Sequence, residues 1–232
     1  MKPTLPVLLS INGGYVDTAS YLALQGLFTS HVTGNFVTLG AAVVLGTSGV
    51  LAKLLALPMF CAVVLATRLV SLLVPPGPWS ALRLLLGLKL ALLIAGAYLA
   101  IHLGPFHNGD GWPAIVTGMT LVAAMAIQNA IHRMHMASTS PTTIMTGNTT
   151  QVMIDLADLL RPHSPEAGVT LRARLRRMSA SIAAFASGCS LSALLYGLRG
   201  DWCFLVPPVI ALYTLLVRHP LPAPGAVPTS RA

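Results

Sequence analysis

The sequence predicts an all-α integral membrane protein, on three observations: its composition, several apolar runs of membrane-spanning length, and an internal repeat. Of the 232 residues, 55% are hydrophobic and only 9% are charged, whereas soluble domains carry about 25% charged residues. A chain with so few charges cannot cover a surface that faces water. The composition therefore excludes a soluble enzyme, a nucleic-acid-binding module and a disordered chain.

Six apolar runs are long enough to be transmembrane helices. A helix needs about 20 apolar residues to cross roughly 30 Å of hydrocarbon. The runs cover residues 5–29, 51–73, 82–103, 113–133, 178–198 and 202–218. Two further helical segments, 36–46 and 149–160, are only half as long as a membrane span. We expect the first run to be a retained span, because polar residues interrupt it as they would not interrupt a cleaved signal sequence.

The basic residues predict the orientation. If both short segments return to the face on which they start, ten Lys and Arg residues lie on one face and only Lys53 and Arg199 on the other. Loops on the cytoplasmic side carry an excess of Lys and Arg. Both termini are therefore expected in the cytoplasm. The net charge of +8 then reflects topology, and we expect no nucleic-acid partner.

A tripeptide occurs twice in the chain. Thr33-Gly34-Asn35 is matched by Thr146-Gly147-Asn148, 113 residues later, and Asp17 is matched upstream by Gln128-Asn129. We predict a first half, 1–112, a second half, 113–219, and a disordered tail, 220–232. Each half contains three spans and one short helix. Because three is odd, the halves enter the membrane in opposite orientations, which is the inverted repeat of many secondary transporters.

The two tripeptides predict a shared binding site. Gly permits a tight break and Asn is among the best helix N-caps, so we expect Asn35 and Asn148 to open the two half-length helices. Helix N-termini favour anions and carbonyl groups. The predicted substrate-binding residues are Thr33, Gly34, Asn35, Thr146, Gly147 and Asn148, and the secondary candidates are His31, Gln128 and Asn129. The alternative is that both tripeptides only cap their helices and bind nothing.

Asp17 is the acid that lies well inside a predicted span. A carboxylate in the membrane centre costs about 2.5–3.5 kcal/mol without a partner. We therefore expect Asp17 to pair with Arg68 or Lys89, and it could carry a proton or a coupling cation. The alternatives are a purely structural ion pair, a neutral Asp17, and an Arg68 that extends to the interface instead.

The basic segment from Arg161 to Arg177 contains five arginines and precedes the fifth span. Juxtamembrane cations attract anionic lipid by about 1 kcal/mol each, so we expect a lipid contact here, or a solvated linker in the alternative. His132 and His135 are spaced as a pair, but no acid or Cys lies close in sequence. We therefore predict no metal and no cofactor.

The opening motifs are similar to those of a known family. Gly14-Tyr15-Val16-Asp17 and Ser30-His31-Val32-Thr33-Gly34-Asn35, followed in the second half by Gln128-Asn129-Ala130 and Met145-Thr146-Gly147-Asn148, resemble the two signatures of the YoaK-like bacterial membrane proteins. The resemblance covers nearly the whole chain. It implies a multi-span protein of a bacterial inner membrane, in a family whose function is unknown.

These observations favour a small-solute transporter or channel with a central site at the two Thr-Gly-Asn segments. The alternative is a membrane scaffold or partner-binding protein, since abundant Gly and Ala permit close helix packing and self-association. An intramembrane enzyme is disfavoured, because no nucleophile with a base in reach stands out.

Overall fold

A computed structural model of the chain describes residues 4–75, 80–162 and 164–217. In these ranges all regular structure is helical. The α-helices are α1 (Leu5–Ala23), α2 (Gly34–Leu45), α3 (Val50–Leu73), α4 (Ser80–Leu103), α5 (Trp112–His135), α6 (Met145–Leu159), α7 (Pro165–Arg199) and α8 (Val206–Leu216), and a 3-10 helix, Gly200–Leu205, joins the last two. The predicted all-helical fold class is confirmed.

Four helical stretches of the described chain are long and apolar enough to cross a membrane. They are Val50–Leu73, Ala81–Leu103, Trp112–His135 and Pro165–Leu216, and α2 is a shorter apolar helix. The last stretch contains α7, the 3-10 helix and α8. α1 does not meet the same measure, because Ser10, Asn12 and Asp17 lower its hydropathy. Length and composition thus establish several membrane-type helices and leave the six-span count as a prediction.

Two helix boundaries differ from the sequence-based expectation. α1 ends at Ala23 instead of residue 29, because Gln25 and Gly26 adopt φ values of 54° and 81°, which an α-helix cannot contain. α7 begins at Pro165 instead of residue 178, and Ser164 Oγ accepts a hydrogen bond from Ala167 N at 3.2 Å. The basic segment is therefore mostly helix and not a linker. The tail 220–232 lies outside the described residues.

The helices pair in the same way in both parts of the chain. α1 packs against α7, and its counterpart α5 packs against α3. The short helix α2 packs against α3, and α6 packs against α7. If α1 to α4 are exchanged for α5 to α8, the contact between α1 and α7 corresponds to that between α5 and α3. The contact between α2 and α3 likewise corresponds to that between α6 and α7.

The core consists of two apolar clusters with a polar layer between them. One cluster includes Tyr15, Leu93 and Leu121. The other includes Leu9 and Leu85. Asn12 on α1 and Lys89 on α4 lie between the two clusters along their helices, Gln128 on α5 bonds to Lys89, and all three are fully buried.

α1 and α7 cross at glycines. A Cβ atom on Gly14 would overlap the carbonyl oxygen of Phe185, and a Cβ atom on Gly188 would overlap the carbonyl oxygen of Ile11. Glycine at both positions lets the two backbones touch, as small residues do in membrane helix pairs. This contact fixes α7 beside the loop that follows α1.

The loop before α5 stabilises the start of α3. Asp110 accepts hydrogen bonds from the backbone N–H groups of Gly49, at 2.9 Å, and Leu51, at 2.7 Å. Partial burial raises the pKa of the Asp110 carboxyl, but the backbone N–H donors outweigh it and hold that pKa below its usual value. Asp110 thus accepts hydrogen bonds from backbone N–H groups at the start of α3, which have no acceptor within that helix.

Candidate functional site

The loop after α1 folds back onto the middle of that helix. Asp17 Oδ1 accepts hydrogen bonds from the backbone N–H groups of Thr29 and Ser30, each at 2.8 Å. The other carboxylate oxygen, Oδ2, pairs with Nδ1 of His31. Asp17 is buried, with 4% of its surface exposed. It therefore accepts hydrogen bonds from buried backbone N–H groups that have no acceptor within a helix.

The prediction that Asp17 pairs with Lys89 or Arg68 is wrong. Its partner is His31, which the chain reversal at Gln25 and Gly26 brings back to α1. Lys89 instead donates to Gln128 Oε1 at 2.5 Å. Arg68 is exposed, with Nη1 at 3.9 Å from the Met134 sulfur. The local loop offers His31 and two N–H groups, so no distant cation is needed.

A cavity of about 500 Å³ opens beside the Asp17–His31 pair. Its wall consists of residues from α1, the returning loop, the start of α2 and α7. They are Asp17, Thr18, Tyr21, Leu22, Phe28, His31, Gly34, Phe185 and Cys189. The His31 ring stands edge-on to Phe185, with centroids 5.6 Å apart. The cavity is thus mainly apolar, with the Asp17–His31 pair in its wall.

Asn35 and Asn148 do not cap their helices as expected. α2 begins at Gly34 and α6 begins at Met145, so both asparagines lie within the first helical turn. Asn35 Nδ2 donates to the carbonyl of Phe28 at 2.8 Å, and Asn148 Nδ2 donates to the carbonyl of Pro141 at 2.9 Å. Each partner lies seven residues earlier. Both amides therefore hold the loop that leads into the helix, since its buried carbonyl has no helical partner.

The predicted tripeptide residues separate into different environments. Gly34 lines the cavity beside His31, while Asn35 is not part of its wall. Thr146 lines a groove of about 740 Å³ along α6, with Thr149 and Thr150. Thr33 directly precedes α2, and Gly147 has open space around it. A single pocket shared by both tripeptides stays a prediction.

The loop before α6 repeats the arrangement with different chemistry. Thr143 Oγ1 donates to Asn129 Oδ1 at 2.8 Å, across the same 14-residue separation that joins His31 to Asp17. Gln128 Nε2 donates to the carbonyl of Leu9 at 2.9 Å. The two loops also lie next to each other, because the backbone of Thr143 comes close to the His31 ring. Gln128 and Asn129 therefore join the second loop to the first half.

Thr143, Phe185 and Cys189 are not among the site residues that the sequence predicts. Thr143 could have been found, because it lies 113 residues after Ser30, in register with the repeat. Phe185 and Cys189 have no such signal, since only the crossing of α1 and α7 brings them to the cavity. Among the described residues no three His, Cys, Asp or Glu side chains lie close enough together to hold a metal ion.

The fold and the buried site define a class of protein: an all-helical protein with several apolar helices of membrane length. A family model described as "Protein of unknown function (DUF1275)" matches residues 5–217. The chain belongs to this family, and the resemblance to YoaK-like proteins agrees with it. The comparisons with curated proteins and with solved structures gave no match.

Proposed function

We propose that this protein is a small-solute transporter of a bacterial inner membrane, with its solute in the cavity between α1, the returning loop and α7. The observation that carries the proposal is the pair of buried Asp17 and half-buried His31 in the wall of that cavity. Ionisable groups buried in membrane proteins mark substrate and ion pathways. Gly34, at the start of the half-length helix α2, lines the same cavity.

The repeat supports a transporter architecture. The contacts of α1 with α7 and of α2 with α3 have equivalents in those of α5 with α3 and of α6 with α7. Asn35 and Asn148 also make equivalent hydrogen bonds, each to the loop before its own helix. We propose six spans in two inverted halves, with α2 and α6 entering the membrane from opposite faces. The loop before each short helix returns to the middle of the preceding helix, at Asp17 and at Asn129. In such folds the solute site lies at the repeat interface, beside half-length helices.

The cavity wall indicates the kind of solute. Tyr21, Leu22, Phe28 and Phe185 give the cavity an apolar body, and the Asp17–His31 pair beside the start of α2 gives it one polar end. The N-terminal end of α2, where Gly34 lines the cavity, carries a partial positive charge that favours a carbonyl or an anionic group. We therefore propose a small solute with an apolar body and one carboxylate or carbonyl group.

The test keeps the apolar body of the probe constant and varies its polar end. Purified protein in detergent is heated with butyrate, butyramide, butylamine or butanol, and the unfolding temperature is recorded. A molecule that binds the folded state raises that temperature by mass action. We expect butyrate and butyramide to stabilise the protein and butylamine not to do so.

A matched pair of variants locates the binding. Leu22→Trp narrows the cavity from its rim, whereas Leu65→Trp changes an exposed leucine of α3 that is not part of the cavity wall. Stabilisation by butyrate should disappear in Leu22→Trp and persist in Leu65→Trp. If butyrate stabilises both variants equally, or if no probe stabilises the natural protein, the cavity is not the solute site.

The basic start of α7 supports a second contact, with anionic lipid. Arg172, Arg176 and Arg177 are exposed on this segment, while Arg174 is held by Asp155, with Nε to Oδ2 at 2.7 Å. We propose that the exposed arginines bind lipid headgroups at the cytoplasmic surface. Vesicles with and without phosphatidylglycerol should then differ in how strongly they protect this segment from trypsin.

The second candidate function is a membrane scaffold, alone or as a homo-oligomer. The observation that favours it is the exposed apolar face of α2, which includes Val37, Val44 and Leu45. Among the described helices α2 packs only against α3. Self-association in detergent, without stabilisation by any probe, would favour the scaffold over the transporter.

A further inference from the structure

Lys89 is the ionisable residue in the polar layer of the core. Its exposed fraction is 0%, and it lies on α4 between Leu85 and Leu93, which belong to the two separate apolar clusters. Its hydrogen-bond partner is Gln128 Oε1, at 2.5 Å. Gln128 is itself fully buried.

The number of acceptors argues against a charged amine. An ammonium group has three N–H donors, and a neutral amine has two donors and one lone pair. Within the described residues Lys89 has a single acceptor, the amide oxygen of Gln128. A charged ammonium with two unsatisfied donors in an apolar core is far more costly than a neutral amine.

Within the described residues no carboxylate forms an ion pair with Lys89. α4 packs against α3, α5, α8 and the 3-10 helix, and the N-terminal half of α1 contacts Gln128 through the carbonyl of Leu9. The ion pairs of the described chain join Asp17 to His31 and Asp155 to Arg174. The titratable groups on α4 and on the elements around it are Arg83, Tyr98 and His102 on α4, Lys53, Cys61 and Arg68 on α3, His132, Arg133 and His135 on α5, Asp201 and Cys203 on the 3-10 helix, and Tyr213 on α8.

A series of contacts connects Lys89 to the candidate site. Gln128 Nε2 lies 3.4 Å from Thr142 Oγ1. The backbone of the next residue, Thr143, comes close to the His31 ring, and His31 pairs with Asp17. The loop before α6 therefore touches both the lysine and the wall of the cavity.

We propose that Lys89 is a proton-carrying site: a neutral amine in the closed conformation described here, which becomes an ammonium group when the polar layer opens to water. On opening, the lone pair of Nζ takes one proton from a water molecule, which leaves as hydroxide. On closing, one N–H bond of the ammonium breaks, its electron pair stays on Nζ as the lone pair, and the proton passes back to hydroxide to form water. The charge state in the closed form is a property of the protein alone. Only the coupling of this proton to solute movement rests on the proposed transport function.

The charge state can be read directly, because the chain has only three lysines, Lys2, Lys53 and Lys89. Protein labelled with ¹³C at lysine Cε is observed by NMR in detergent at about neutral pH, where a lysine in water is fully charged. Lys89→Met identifies the signal of Lys89. We expect this signal at the chemical shift of a neutral amine. Lys53, whose Nζ donates to the carbonyls of Gln25 and Ser48, should show an ammonium signal.

Gln128→Glu is the matched variant. It replaces the amide acceptor by a carboxylate of nearly the same size, so the Lys89 signal should move to the ammonium position. An ammonium signal for Lys89 in the natural protein overturns the proposal. A neutral signal that does not respond to Gln128→Glu overturns the assigned contact with Gln128. Failure of the solute proposal would instead appear as absence of probe binding, with the NMR result unchanged.

Discussion

Asp17 illustrates how one carboxylate can organise a buried loop. It accepts two backbone hydrogen bonds at Thr29 and Ser30 and pairs with His31. Each donor comes from a segment that has left α1 and has no helical partner of its own. Removing the carboxylate therefore leaves several buried donors without an acceptor, which costs more than the loss of one ion pair.

Asp17→Ala should destabilise the protein by about 3 kcal/mol or more, as the loss of one member of a buried pair does. Asp17→Asn should cost less, because its side-chain oxygen still accepts from the loop. Thermal unfolding in detergent measures both effects. A double-mutant cycle with His31→Ala should be strongly non-additive, whereas the cycle with Arg68→Ala should be additive. Additivity with His31 would contradict the pair.

Asn35 and Asn148 make comparable bonds, but Asn35 makes more of them. Its Oδ1 also accepts from the backbone N–H of Phe28 at 2.8 Å, whereas Asn148 has the Met145 sulfur as its second contact. Both side chains are buried, with 1% exposed.

Asn35→Ala should therefore destabilise the protein more than Asn148→Ala, by about 1–3 kcal/mol for the additional unsatisfied backbone N–H. Unfolding of the two variants in parallel, with Thr149→Ala on the exposed face of α6 as the control, measures the difference. Equal losses would show that the second bond of Asn35 contributes nothing.

Packing between helices places the site. The crossing of α1 and α7 brings Phe185 and Cys189 to the cavity, and the crossing is possible because Gly14 and Gly188 have no Cβ. A substitution at either position forces the helices apart, because the clashing atoms belong to the opposite backbone and cannot rotate away.

Gly14→Ala and Gly188→Ala should each destabilise the protein by about 1–3 kcal/mol, which is typical of overpacking. Gly87→Ala in α4 is the matched control, because no atom lies within 4 Å of its added Cβ. That variant should stabilise slightly, since Ala is the better helix former by about 0.5–1 kcal/mol. Unfolding temperatures that fall equally in all three variants would contradict the close crossing.

At the level of the whole molecule, the proposed inverted repeat makes a prediction about sidedness. If both termini lie in the cytoplasm, as we propose, the loop between α4 and α5 faces outward and the start of α7 faces inward. Asn108 and Arg176 are exposed in these two segments.

In intact cells, the new thiol in Asn108→Cys should react with a membrane-impermeant maleimide. The new thiol in Arg176→Cys should react only after the membrane has been permeabilised. The three natural cysteines are first replaced by Ala to remove background labelling. The reverse pattern would invert the orientation, and labelling of both from outside would contradict the repeat.

The sequence by itself determined the helical class, the membrane-type composition and the duplicated Thr-Gly-Asn motif. These follow from hydropathy and from self-similarity, which are properties of the chain order. It also marked Asp17, Lys89 and Gln128 as unusual, because polar groups in apolar runs are visible one residue at a time.

Only the tertiary structure decided which partners these residues have. Asp17 pairs with a histidine 14 residues away because the chain reverses at Gln25 and Gly26, and Lys89 meets Gln128 because α4 packs against α5. Phe185 reaches the cavity through the glycine crossing of α1 and α7. A partner depends on the relative placement of two segments, and hydropathy along the chain carries no information about that placement.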